Sequence, residues 1–183
     1  MISRHTTTAV AINERESRLA RDMERYFLDL APPDERSSAD AARGGIRYLH
    51  NNIDERPDSA EEAQRCRENG WGIDDSERLR AWRDQEPINA HSHLLSVLLG
   101  SSESIPVVDK DMVIGQWRSV LLVDLDGPRD RTVGVQFLGY ERGVGNRHFS
   151  SISKSCEASC RRIEDASIGE SIANLLSCLE ILS

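Results

Sequence analysis

The chain lacks an apolar run anywhere near the roughly 20 residues that a membrane span requires. No apolar core follows Met1-Ile2-Ser3-Arg4-His5, so no export signal is read at this terminus. Its four cysteines, Cys66, Cys156, Cys160 and Cys178, form no dense disulfide framework, which points to a reducing compartment. Together these absences give the expectation of a cytoplasmic protein without a membrane partner. A basic excess is also missing: 31 acids face 23 bases, for a net charge of −8. A duplex-binding domain carries a basic face, so no nucleic-acid partner is expected. Internal repeats and long low-complexity tracts are absent. Hydrophobic residues make up 38% of the 183, below the globular norm of roughly 45–50%. What remains is one domain of ordinary size, or a smaller domain with a tail.

The elements that are present favour an α+β fold, a mostly antiparallel β-sheet of hairpins backed by helices. Thr6 to Ile12 is short and β-branched and reads as a strand that Asn13-Glu14 ends. From Glu16 the apolar residues Leu19, Met23, Phe27 and Leu30 fall on one helical face, and Ala31-Pro32-Pro33 stops that helix. Residues 51–88 hold 11 acids and 6 arginines. Two short helices are expected there, one starting near Asp58-Ser59 and one near Asp75, the second with Leu79 and Trp82 turned inward. The segment reads equally as a lid or specificity insert and as a solvated excursion. Residues 89–99 read as a helix ending at Gly100. A hairpin follows over Ser104–Val108 and Met112–Gly115, then a nearly continuous apolar strand from Val120 to Leu125. Asp126-Gly127-Pro128-Arg129-Asp130 is a tight turn, and Thr132 to Leu138 alternates as the returning strand. Residues 140–183 carry nine serines and three cysteines and differ in character from the rest.

Candidate chemistry rests on His5, His50 and His93, with Asn13, Glu14, Asn89 and Gln116 beside them. Three separated histidines could converge on a divalent metal with an open position, bind a phosphate, or exchange protons. None belongs to a dense ligand motif. His91 and His93 would share a face on a strand, but on a helix they stand about 200° apart, so at most one of them points into a pocket. Asn89 lies four residues before His93 and is either its helical neighbour or the helix N-cap. Trp117 reads as a core residue ahead of a stacking platform. Cys156 and Cys160, four apart, are a weak zinc signal for want of a histidine cluster.

Several segments, in order, resemble one family. His5-Thr6-Thr7-Thr8-Ala9 followed by Ile12-Asn13-Glu14 is similar to the HTT…NE segment of the YjbQ family, also called secondary thiamine-phosphate synthases. Tyr48-Leu49-His50-Asn51 resembles its aromatic-x-His segment. Asn89-Ala90-His91-Ser92-His93 with Leu98-Leu99-Gly100 resembles its N-x-x-x-H…LLG helix. Ser104-Ile105-Pro106-Val107, Ile114-Gly115-Gln116-Trp117 and Asp126-Gly127-Pro128-Arg129 with Val133–Gln136 resemble its strands and last hairpin. The resemblance covers about residues 4–139.

The expected organisation is a YjbQ-like domain over 1–139, with a polar helical insertion at 52–88, and a Ser/Cys-containing tail at 140–183 expected to be poorly ordered. Three departures stand out. The family carries about 40 residues before the HTT segment, so an N-terminally shortened chain is expected. Arg118 replaces the Gln that follows Trp in the family. The tail has no family counterpart. The resemblance implies a homotrimer with a pocket near the subunit interface. It further implies weak thiamine-phosphate synthase activity, joining a pyrimidine pyrophosphate to a thiazole phosphate, which makes a small phosphorylated molecule the expected substrate. His5, His50, His93 and Glu14 are the expected catalytic set. His5 and His93 would hold the leaving pyrophosphate or a bridging metal, His50 would exchange a proton, and Glu14 would act as base or orient a histidine. Thr6, Thr7, Asn13, Asn89, Gln116 and Trp117 are the expected substrate contacts. No cofactor is certain, and a divalent ion on His5, His50 and His93 is the candidate. Two other classes stay open: a metal-dependent hydrolase using the three histidines, and a non-catalytic trimeric ligand-binding protein.

Overall fold

A computed structural model describes residues 1–36, 45–109, 111–142, 149–159 and 179–182. In chain order the elements are β1 (Ile2–Ser3), β2 (Thr8–Glu14), α1 (Ser17–Leu30), α2 (Ala60–Glu68), α3 (Ser76–Gln85), α4 (Ala90–Leu99), β3 (Val107–Val108), β4 (Asp111–Met112), β5 (Arg118–Asp124), β6 (Thr132–Arg142), β7 (Phe149–Ser159) and β8 (Leu179–Leu182). The chain falls into two units, one formed by Met1–Leu30 with Ser92–Ser183 and the other by Ala31–His91.

The first unit contains the strands, in the orders β1-β6-β7, β2-β5-β8 and β3-β4. All of these pairings are antiparallel except β5 with β8, so the architecture is the α+β one with hairpins and helices. β2 and β5 pair from Thr8↔Asp124 to Glu14↔Arg118. The pleat sends Val10 and Leu122, which face each other across this ladder, into one core with Val120, Val133 and Val135. Met1, Ile105 and Met112 pack against that core. Ala9 and Leu121 are buried on the opposite face of the pleat. Both faces of β5 are therefore covered, which is why Val120–Val123 reads as a continuous apolar run instead of an alternation.

Helix α1 forms where its periodicity predicts. Its start is capped by the Glu16 carboxylate, which accepts from the N–H groups of Arg18 and Leu19 at 2.9 and 2.8 Å. The apolar stripe is only partly covered: no residue of α1 is buried, and Leu30 is exposed. Helix α4 ends at Gly100, whose φ of 86° is the left-handed conformation that a helix terminus asks of glycine. Its Ser92 and Ser96 hydroxyls donate to the carbonyls of Leu125 and Thr8, tying the helix to the ends of β5 and β2. The residues 140–183, expected as a tail, contribute β7 against β6, in register from Thr132↔Ser159 to Arg142↔Phe149, and β8 against β5. Cys160, Cys178, His148 and the side chain of Cys156 lie outside the described residues.

In the second unit Ser59 caps α2 by accepting from Glu62 N–H, and Asp75 caps α3 by accepting from the N–H groups of Glu77 and Arg78. Trp82 is buried with its ring 6.4 Å from that of Trp71, and the Arg56 guanidinium lies over it at 5.4 Å. Arg56 also pairs with Glu62 and Glu86, so the acid excess of this segment is partly consumed internally.

Truncating Leu122, which is fully buried, to alanine is expected to cost about 2–5 kcal/mol of stability. Leu49→Ser, at a residue 86% exposed, should stay within about 0.5 kcal/mol. Urea unfolding of the two variants checks both.

Candidate functional site

The turn that precedes β2 is built from its own hydroxyls. Thr8 Oγ1 donates to the His5 carbonyl at 3.1 Å and shares a short hydrogen bond with Ser3 Oγ. His5 N–H reaches Ser3 Oγ at 3.4 Å. Ser3, Thr7 and Thr8 are buried, whereas Thr6 stands exposed at the tip. The half-buried His5 side chain is thereby held beside the start of β6, where its Nε2 accepts the Thr132 N–H at 2.8 Å. A ring nitrogen that accepts carries the lone pair, so the proton of the neutral ring is on Nδ1. Burial lowers the pKa of His5, Arg131 and Arg4 lower it further, and Asp124 works in the opposite direction. The ring is therefore neutral at pH 7, with one donor and no spare basic nitrogen.

The antiparallel register then decides which expected residues can share a site. His5, Thr6 and Thr7 lie at the Asp124 end of the β2–β5 ladder, and the serines of α4 anchor that helix, with half-buried His93 on it, at the same end. Asn13 and Glu14 lie at the Arg118 end, next in sequence to Gln116 and Trp117. Six residues of extended strand separate Thr8 from Glu14, about 20 Å at roughly 3.4 Å each. Within one chain, Glu14 is therefore not the base or orienting partner of His5. The core reading of Trp117 also fails: it is 73% exposed, because it sits in the turn just before β5 and belongs to no ladder.

His50 and Asn89 belong to the second unit. His50 lies in the 3-10 turn Leu49–Asn51. Shielding from solvent and then Arg56 lower its pKa, against Glu86 and Glu62. Its neighbour Asn51 is fully buried and fills the capping role that was one of the two readings of Asn89: Asn51 Oδ1 accepts the first N–H of α4, that of Ala90, at 3.1 Å. Asn51 is in turn oriented by Asp34, whose Oδ2 also accepts from Tyr48 N–H and pairs with Arg36. The Arg36 guanidinium further donates to the carbonyls of Tyr48 and Asn51. With its side chain fully buried against these donors, Asp34 is held well below the usual carboxylate range, chiefly by Arg36.

Among the described residues, no group of three or more His, Cys, Asp or Glu side chains is gathered as a metal ion requires. Sequence reading missed Asp124, Arg131, Thr132, Asn51 and Asp34. The first two carried a signal: an acid closing the apolar run Val120–Val123, and an arginine opening the alternation of β6.

A family model described as UPF0047 protein YjbQ-like matches residues 1–140. A UPF0047 protein of Methanothermobacter thermautotrophicus is 32% identical over 139 residues, covering 76% of this chain and 66% of that protein. One of Archaeoglobus fulgidus is 28% identical over 134 residues, covering 73% and 71%. Among solved structures, a YbjQ-like protein of unknown function from Sulfolobus solfataricus aligns at 25% identity with a TM-score of 0.45, over 71% of this chain and 62% of that one. A hypothetical protein from Aeropyrum pernix aligns at 29% identity with a TM-score of 0.45, over 71% and 64%. The chain thus spans just under two thirds of the first of these relatives and of both solved chains.

Replacing Asp34 by alanine strands Arg36 and frees Asn51, and should destabilise the second unit by about 3 kcal/mol. A carboxylate whose pKa is depressed by folding contributes stability above its unfolded pKa. That contribution should persist at neutral pH and fade as the pH falls below about 4. Hydrogen exchange over residues 31–91 at pH 7 and pH 3.5 reads both effects.

Proposed function

The chain belongs to the UPF0047 family of YjbQ-like proteins, and on that footing we propose that it is a transferase of the thiamine-phosphate synthase type, in which His5 is a neutral hydrogen-bond donor to the departing pyrophosphate. The observation that carries the role is the Thr132 N–H on His5 Nε2 at 2.8 Å. In this reaction the thiazole nitrogen attacks the methylene carbon of the pyrimidine pyrophosphate. The new C–N bond forms as the C–O bond breaks, and pyrophosphate leaves with the electron pair. The attacking nitrogen bears no proton, so this step asks for no general base. Its demand is stabilisation of growing negative charge on the leaving oxygens, which fixed N–H donors supply. A neutral His5 with Nδ1–H suits that demand, as do the exposed Thr6 hydroxyl and His93 at the same end of the β2–β5 ladder.

The same geometry argues against His5 as a metal ligand, since Nε2 is engaged and Nδ1 holds the proton. Glu14, Asn13, Gln116 and Trp117, at the far end of β2–β5, take part in this reading only through an assembly of several copies. A homotrimer is proposed on that ground. Leu94, Val97 and Leu98, spaced on one face of α4 and 48%, 82% and 67% exposed, support self-association.

Incubation of the purified chain with the two phosphorylated precursors should yield thiamine phosphate. His5→Gln is expected to lower the rate about 10²–10³-fold, the usual cost of one charge-stabilising donor. An undiminished rate in that variant, or no product from the parent chain, rejects the reading. Light scattering after size exclusion should give three times the chain mass, and Val97→Glu should reduce it.

A further inference from the structure

Asp124 and Arg131 form an ion pair whose side chains are 1% and 5% exposed. The Asp124 carboxylate accepts the Arg131 guanidinium and the N–H groups of Asp126 and Arg129, the latter two at 3.3 Å. A Cβ at Gly127 would occupy the space that this carboxylate takes. The turn Asp126–Asp130 is therefore wrapped around one acid. On the other side, Arg131 Nε is buried and has no hydrogen-bond partner among the described residues. A buried pair with an unsatisfied donor is a poor source of stability, and fixing register is the best-attested use of such pairs. Here the register concerns His5. Arg131 is followed by Thr132, whose N–H is the donor on His5 Nε2 and whose carbonyl accepts Arg4 N–H at 3.2 Å.

We infer that Asp124 and Arg131 are positioning residues: through the Thr132 N–H they lock His5 into its Nδ1–H tautomer and fix its ring as a one-sided donor to a phosphoryl oxygen. The inference deepens the proposed reaction and rests on it for the ligand, but the lock itself exists without substrate. The charged groups facing His5 are Arg131, Arg4 and Asp124, from the elements on either side of its turn. Neither positioning residue touches the ligand in this account. Each acts through backbone, by setting where one N–H points.

The test is long-range ¹H–¹⁵N correlation on the full-length ¹⁵N-labelled protein at pH 7.5 without ligand, joined to titration with inorganic pyrophosphate. The parent chain should show His5 with a protonated Nδ1 and a lone-pair Nε2. Arg131→Gln should release the ring into a mixture of tautomers and weaken pyrophosphate binding at least fivefold. Thr132→Pro removes the N–H while leaving the ion pair intact, and should do the same should the first variant fail to fold. Proline is tolerable as the first residue of a strand. An Nε2–H or freely exchanging ring in the parent chain overturns the inference. So does an unchanged tautomer, or unchanged pyrophosphate affinity, in a folded variant. If the parent chain binds no pyrophosphate, the proposed reaction falls, and the tautomer measurement alone decides whether the lock is real.

Discussion

The antiparallel ladder between β2 and β5 is the constraint on which the rest depends. Seven residue pairs, from Thr8↔Asp124 to Glu14↔Arg118, set the pleat that buries Val10 against Leu122. The same seven pairs sort the polar residues into two ends. A slip of one residue would leave Val10 and Leu122 on opposite faces, so the apolar core itself enforces the sorting. The grouping of polar residues at the His5 end is thus a consequence of packing in the middle of the sheet. Where β5 stops, Asp124 becomes available to hold a turn, and where β2 begins, the hydroxyls of Ser3 and Thr8 hold His5.

Much of this was legible in the sequence. The alternation at Thr132–Val135, the continuous run Val120–Val123, the cap residues Ser59 and Asp75 and the terminal Gly100 are each fixed by local stereochemistry, and each appears where that stereochemistry asks. The candidate site was less legible, for two reasons. Glu14 reads as a neighbour of His5 because both lie in one short segment, but an extended strand spends about 3.4 Å on every residue and carries them apart. The hydrogen-bond partner of the His5 ring, by contrast, lies more than a hundred residues along the chain, and a backbone N–H such as that of Thr132 leaves no mark in the sequence.

The second unit teaches the same lesson about capping. Asn89 occupies the position where a local cap is expected, yet the first N–H of α4 is met by Asn51, 39 residues earlier. Local rules identify the donor in need and say nothing of which distant acceptor arrives. Asn51 could play that part only because Asp34 and the 3-10 turn hold it without freedom. The polar character of residues 51–88 is likewise not uniform solvation: Arg56, Trp82, Glu62 and Glu86 form a knot that gives the segment its own interior.

Gly127 shows what the Asp124 hub means for portability. The stretch from Asp124 to Thr132 has the outward grammar of an ordinary reverse turn, and its glycine and proline could be lifted into many hairpins. Its shape, however, is moulded on a carboxylate that fills the space a side chain at 127 would claim. Transplanted without Asp124 and Arg131, the loop would lose the template that shapes it. Conversely, a host that kept the acid could accept no other amino acid at that position without displacing it. The segment is inherited as a whole or not at all.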